Sequence, residues 1–151
     1  MARVAKKSSI RAKRDDPNGP VLVIPHCVLN SPAYLTLSGN AVRLLYDLAM
    51  QFNGRNNGML LASFKYLSEK RGWTSADQLN KSKKELLAHM LICQTVQGQR
   101  PNKASWYGIT WQALDDIDGL EIPAQAWPRG AYRHWTPPDQ IPKRHPPKKN
   151  A

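Results

Sequence analysis

The stretch SFKYLSEKRGWTSADQLNKSKKELLAHM, residues 63–90, decides the fold. Ser63 stands where an N-cap belongs, ahead of a run in which the spacing turns Phe64 and Leu67 inward and Lys65, Glu69 and Lys70 outward. Arg71-Gly72-Trp73 ends that run, since glycine adopts the left-handed C′ conformation without a Cβ penalty. Thr74 or Ser75 then caps a second helix, for which the periodicity predicts an inward stripe of Ala76, Leu79, Leu86, Leu87 and Met90. Two helices joined through Gly72-Trp73-Thr74, a three-residue turn containing glycine, have the spacing of a helix-turn-helix unit.

Toward the N-terminus, Ser38 is the N-cap of an earlier helix over 39–52, marked by Val42, Leu45, Leu48, Ala49 and Phe52. The string NGRNNG at 53–58 stops it with residues that tolerate positive φ, and Met59 to Ala62 reads as a brief apolar strand. Toward the C-terminus, Leu91 to Gln97 has strand character, Gly98 to Lys103 is a polar basic loop, and Trp106 to Trp111 is a second strand. Alternation puts Tyr107, Ile109 and Trp111 on one face of it. The order helix, short strand, helix, tight turn, helix, strand, loop, strand is that of a mainly helical α+β fold, the winged helix-turn-helix: three helices plus a β-hairpin wing. Outside this frame, Val21 to Ile24 reads as an edge strand or extended segment closed by Pro25. Pro32 reads as a further break, and Ala113 to Leu120 as one or two helical turns.

Charge divides the chain of 151 residues into three parts. Residues 1–20 carry six basic and two acidic groups, and residues 123–151 carry six and one, whereas residues 21–122 carry ten and eight. Most of the net charge of +11 therefore lies in two basic arms around one central domain, the second arm rich in Pro, Lys and Arg. Such arms suit phosphate, because each neutralised phosphate releases counterions; a mere aid to solubility is the plainer reading. Trp127, Tyr132 and Trp135 do not fit a free tail, and are expected to pack onto the domain or onto a partner, a second copy included.

Several classes are excluded. The two cysteines, Cys27 and Cys93, do not make a disulfide scaffold, and no signal peptide or membrane-spanning run is evident. The pairs His26-Cys27 and His89/Cys93 lack the Cys-x-x-Cys spacing of structural zinc sites, so no metal is expected. No phosphate loop, nucleophile elbow or His pair points to catalysis, and Asp115, Asp116 and Asp118 read as solvated residues of a short surface helix. The expectation is a non-enzyme without cofactor.

On a helical wheel the outer face of the third helix takes Thr74, Asp77, Gln78, Lys81 and Lys84, with Asn80 on the flank. Lys suits guanine acceptors and Gln suits adenine, while Thr74 and Ser75 with the free N–H groups of the helix start suit a phosphate. Lys83 falls toward the apolar stripe, so its stem is expected to lie on the domain with the ammonium reaching out. Arg100 and Lys103 supply cations at the hairpin tip, and Lys6, Lys7, Arg11, Lys13 and Arg14 supply phosphate contacts from the N-terminal arm.

From Leu37 to Trp111, about half the chain, the layout resembles the winged-helix proteins of bacterial phages, plasmids and integrated elements. The resemblance rests on the NGRNNG turn at 53–58, the short strand into Ser63, and WYGITWQ at 106–112. The layout is also similar to the N-terminal domains of plasmid and phage replication initiators, although a complete initiator would usually need a second winged-helix domain, for which 151 residues are expected to be too few. The resemblance implies a cytoplasmic bacterial protein that binds double-stranded DNA at an operator or an origin, as a transcriptional regulator or replication accessory factor. Two alternatives stand beside it. One is a protein-interaction module, such as a phage-encoded inhibitor of a host complex, anchored by Trp127, Tyr132 and Trp135. The other is RNA binding through the basic arms.

Deleting residues 1–14 is expected to weaken binding to all duplex sequences alike and to flatten its salt dependence, by about 0.9 in the log–log slope for each phosphate no longer neutralised. Fluorescence anisotropy across a salt series checks this; an unchanged slope would remove the arm from the interface.

Overall fold

The computed structural model describes residues 19–138, so Lys6, Lys7, Arg11, Lys13 and Arg14 of the N-terminal arm lie outside the described residues. Two single-turn helices, α1 (His26–Leu29) and α2 (Pro32–Leu35), precede the longer α3 (Gly39–Ala49). A two-residue strand β1 (Leu60–Leu61) follows, then α4 (Phe64–Arg71), α5 (Ala76–Ala88), β2 (Ile92–Val96) and β3 (Trp106–Ile109). Two 3-10 turns, Ala124–Ala126 and Ala131–His134, complete an α+β fold whose small antiparallel sheet has the order β1-β3-β2. No helix among the described residues is long and apolar enough to cross a membrane.

The helix starts are set locally. Ser31, Ser38, Ser63 and Ser75 each accept a hydrogen bond from the backbone N–H three residues on, at 3.2–3.3 Å. Gly72 ends α4 at φ 71°, as its lack of a Cβ allows, and the following Trp73 N–H returns to the Leu67 carbonyl. α5 ends differently: Met90 takes φ 60°, while the Met90 and Leu91 N–H groups donate to Leu87 and Leu86. This paired closure turns the chain into β2.

What holds α4, the turn and α5 to α3 is a carboxylate. Asp47 is buried on α3; its Oδ1 accepts from Arg71 Nε and its Oδ2 from Trp73 Nε1, both at 2.8 Å. Arg43, one turn earlier, lays its guanidinium 4.7 Å from the Trp73 ring centre and donates to the Arg71 carbonyl at 2.8 Å. At the other end of α3, the Glu85 carboxylate of α5 accepts from both the N–H and the hydroxyl of Ser38, at 2.8 and 2.6 Å. The apolar filling between these ties is Ala41, Leu44, Leu45 and Leu48 from α3, Leu67 from α4, and Leu79 and Leu86 from α5, all fully buried.

A side-chain amide organises the sheet end of the molecule. Asn57, fully buried, donates to the carbonyls of Ile109 and Ala113 and accepts from the Ile109 N–H at 2.8 Å. Its backbone N–H is taken by Asp115 Oδ2 at 2.7 Å. Asn53 and Asn56 close the rest of the NGRNNG turn on its own backbone. Gln51 pairs its amide with both the N–H and the carbonyl of Leu61 at 2.8 Å, so a side chain occupies the outer edge of β1 where another strand would pair. Gly108 lies where β3 passes Asn57 and Trp127; a Cβ there would stand 2.6 Å from Trp127 Cη2.

Several expectations need correction. α3 stops at Ala49 rather than 52, and Gln51 and Phe52 lead into the turn. Phe64 is 39% exposed, and Ala76 and Met90 are also exposed, so the inward stripe of α5 is Leu79, Ser82 and Leu86 with Leu87 beside it. Ser82 replaces Ala76 because its hydroxyl is satisfied within the helix by the Gln78 carbonyl. Pro32 starts a helical turn instead of breaking the chain, its missing N–H costing nothing at the first helical position. Val21 to Ile24 pairs with no strand, which removes the edge-strand alternative, and 113–120 is irregular because Asp115 closes on Asn57.

Replacing Asp47 by Ala leaves the buried Trp73 indole without an acceptor and Arg71 without a partner. We expect a loss of about 2–3 kcal/mol of stability in urea denaturation. A loss below about 0.5 kcal/mol, the range of an ordinary surface change, would contradict the role given to this carboxylate.

Candidate nucleic-acid interface

With α5 clamped from behind, its outer side is free of protein cover. Thr74, Asp77, Gln78, Asn80, Lys81 and Lys84 are all exposed, as the helical wheel predicts. Ser75 is half-buried and its hydroxyl is already the N-cap of α5, which removes it from the set of side chains free to meet a ligand. Gln78 is partly engaged: its Oε1 accepts from Asn40 Nδ2 at 2.8 Å. That bond fixes the Gln78 amide with Nε2 as the group left to donate. Asn40 thereby joins the face, a residue missed in the sequence because it stands 38 positions away on another helix.

Lys83 is half-buried, with its Nζ 5.8 Å from the Tyr107 ring centre, and burial pulls its pKa below the usual lysine value. Its stem lies on the domain as expected, but the ammonium rests over β3 rather than reaching away from the surface. The same burial pushes the Tyr107 phenol up. Lys83 thus ties α5 to the hairpin and leaves Lys81 and Lys84 as the exposed cations of the helix.

The hairpin is tighter than a loose loop. Gln99 and Lys103 exchange two backbone hydrogen bonds at 2.8 Å, and the Gly98 N–H donates to Ser105 Oγ. Arg100 is exposed at the turn. Lys103 is exposed too, but its Nζ lies 4.0 Å from Glu121 Oε1, an exposed pair of small energetic weight that a phosphate can displace. Two further cations, Arg43 and Arg71, are exposed beside the α4–α5 turn, although each is held by the Asp47–Trp73 cluster.

The three tail aromatics are used inside the molecule. Tyr132 is fully buried in the core, Trp127 donates its indole N–H to the Gln112 carbonyl at 3.0 Å, and Trp135 stacks on His89 with ring centres 4.0 Å apart. All three thus pack onto the domain, the first of the two placements expected for them; Tyr132 is buried, and Trp127 and Trp135 are half-buried. The packed residues accordingly continue past Ile122 to Trp135. His89 also meets the Ala33 carbonyl through Nδ1, and Cys27 lies 3.4 Å from the Tyr132 hydroxyl. No group of three His, Cys, Asp or Glu residues able to hold a metal occurs among the described residues.

Compared with protein-family models, with curated proteins and with solved structures, the chain finds no match.

Proposed function

We propose that this chain is a winged helix-turn-helix protein that binds double-stranded DNA, with α5 as the recognition helix and the β2–β3 hairpin as the wing. The observation that carries this reading is the contrast between the two sides of α5. Its inner side is fixed by Leu79, Ser82, Leu86 and the Glu85–Ser38 bond, and its outer side carries the exposed polar residues Asp77, Gln78, Asn80, Lys81 and Lys84, with Ala88 among them. A rigid helix with a free polar face, following a glycine turn, is the arrangement that enters a major groove.

In this reading the side chains divide by task. Lys81 and Lys84 address guanine acceptors, and Gln78, with its oxygen held by Asn40, donates from Nε2 to a purine N7. Asp77, the one acid on the face, accepts from a cytosine amine or repels a misplaced phosphate. Thr74 and the free N–H groups at the start of α5 meet a backbone phosphate, with Arg100 and Lys103 doing the same from the wing. The protein acts without catalysis or cofactor, as a transcriptional regulator or replication accessory factor of a bacterial mobile element.

Lys81→Ala and Lys84→Ala together are expected to weaken duplex binding by about 1–3 kcal/mol for each base-reading interaction removed. Both side chains are exposed, so the thermal midpoint should stay close to that of the parent protein. Unchanged affinity in a gel-shift or anisotropy titration, with the fold intact, would remove α5 from the interface.

A further inference from the structure

We propose that this chain pairs with a second copy of itself, about a two-fold axis, through the face formed by Pro20 to Val23 and the end of α3. Pro20, Val21 and Leu22 stand in the shared wall of two hollows of about 340 and 200 Å³. The larger hollow lies against Tyr46, Ala49 and Met50, the smaller against Phe52, Gly54 and Ile109. Val21 is 55% exposed, Val23 66% and Met50 60%, with Leu22 and Tyr46 exposed beside them. Isolated apolar side chains on a surface are ordinary, but a contiguous group of this kind marks a contact surface.

Charge, shape and area make the occupant a second copy. The chain carries a net charge of +11, so two copies repel over much of their surface. Of the residues lining the two hollows, Arg71 is the one with a charged side chain, and its guanidinium is already held by Asp47 at 2.8 Å. Two copies can therefore meet here without setting unmatched cations against each other. The exposed valines and the hollows lie side by side on one face, so a two-fold axis carries the ridge of each copy toward the hollow of the other. A specific interface needs about 1,000 Å² in total, or about 500 Å² from each copy, and five large side chains at these exposures supply area of that order.

The backbone of the ridge points the same way. Among the described residues, Val21 to Ile24 pairs with no strand, and none of its N–H or carbonyl groups makes a backbone hydrogen bond. Pro25 disfavours the helical conformation at Ile24, and Val and Ile favour strands. A two-fold axis brings such a run against its own copy in the antiparallel sense, where unpaired backbone groups find partners. Pro20 and Pro25 have no N–H to donate, so pairing stays confined to the four residues between them and closes at two copies.

This inference does not rest on duplex binding by α5. It is tested by sedimentation equilibrium of the full chain without DNA, from micromolar to hundreds of micromolar concentration. The expected result is a reversible equilibrium between monomer and dimer. Val23→Glu and Val23→Lys are each expected to raise the dimer dissociation constant about tenfold or more, because either charge is carried into an apolar contact. Val23 is exposed in the single chain, so both variants keep the fold. The two together separate a specific contact from general repulsion, since Glu lowers the net charge of +11 and Lys raises it. A chain that stays monomeric throughout overturns the proposal, as does a dimer that both substitutions leave intact or that Glu strengthens while Lys weakens it. If the chain is monomeric and Val23→Glu displaces the amide signals of residues 1–14, the proposal falls and the occupant of this face is the N-terminal arm of the same chain.

Discussion

The Asp47 carboxylate receives the Trp73 indole and the Arg71 guanidinium, each at 2.8 Å, and the rest of the arrangement depends on that junction. A buried acid is costly unless its oxygens are matched, and here each oxygen has its own donor. Arg71 is the last residue of α4 and Trp73 opens the turn into α5, so one side chain on α3 fixes the place where the chain changes direction. Arg43 covers the assembly by lying over the Trp73 ring. The apolar core explains why the helices associate. The carboxylate explains why α5 crosses at this position with its polar side outward, because sliding α5 along α3 would break both charged hydrogen bonds.

A second fixed point, the Asn57 amide, does for the sheet what Asp47 does for the helices. It replaces missing strand pairing at the end of β3 and brings Asp115 against the NGRNNG turn. The chain after β3 can then cross the domain, with Trp127 beside Gly108 and Tyr132 in the core. This belt leaves the α5 face uncovered. The polar clamps thus hold the broad outer face of α5 clear of the rest of the chain.

Much of the central fold was legible because its signals are local. Ser38, Ser63 and Ser75 cap helices and Gly72 ends one, each through atoms within a few residues; the strand at Trp106 was legible too, although it ends at Ile109 short of Trp111 and is buried on both faces. The exposed polar residues of α5 followed from helix geometry, whereas Ala76, placed inward by the same geometry, is exposed. What was illegible depends on contacts across the sequence. Nothing near Asp47 announces that its partners lie 24 and 26 residues on, and Asn40 gains its place on the face only through Gln78. Residues 113–120 have helical composition but yield to the Asn57–Asp115 closure. Ser82 enters the core against its polarity because its hydroxyl returns to its own helix. Tyr132 was recognisable as out of place in a free tail, but where it docks is a tertiary matter.

If the clamped α5 and the hairpin form one surface for duplex DNA, that surface should respond to duplex as a unit. The most direct measurement is the amide correlation spectrum of the full chain titrated with a duplex of random sequence at low salt. Saturable perturbations concentrated in residues 74–84 and 99–103 are expected, with the α1–α2 region unaffected. Perturbations that avoid α5, or a spectrum that duplex leaves unchanged, would contradict the assignment of this face to DNA.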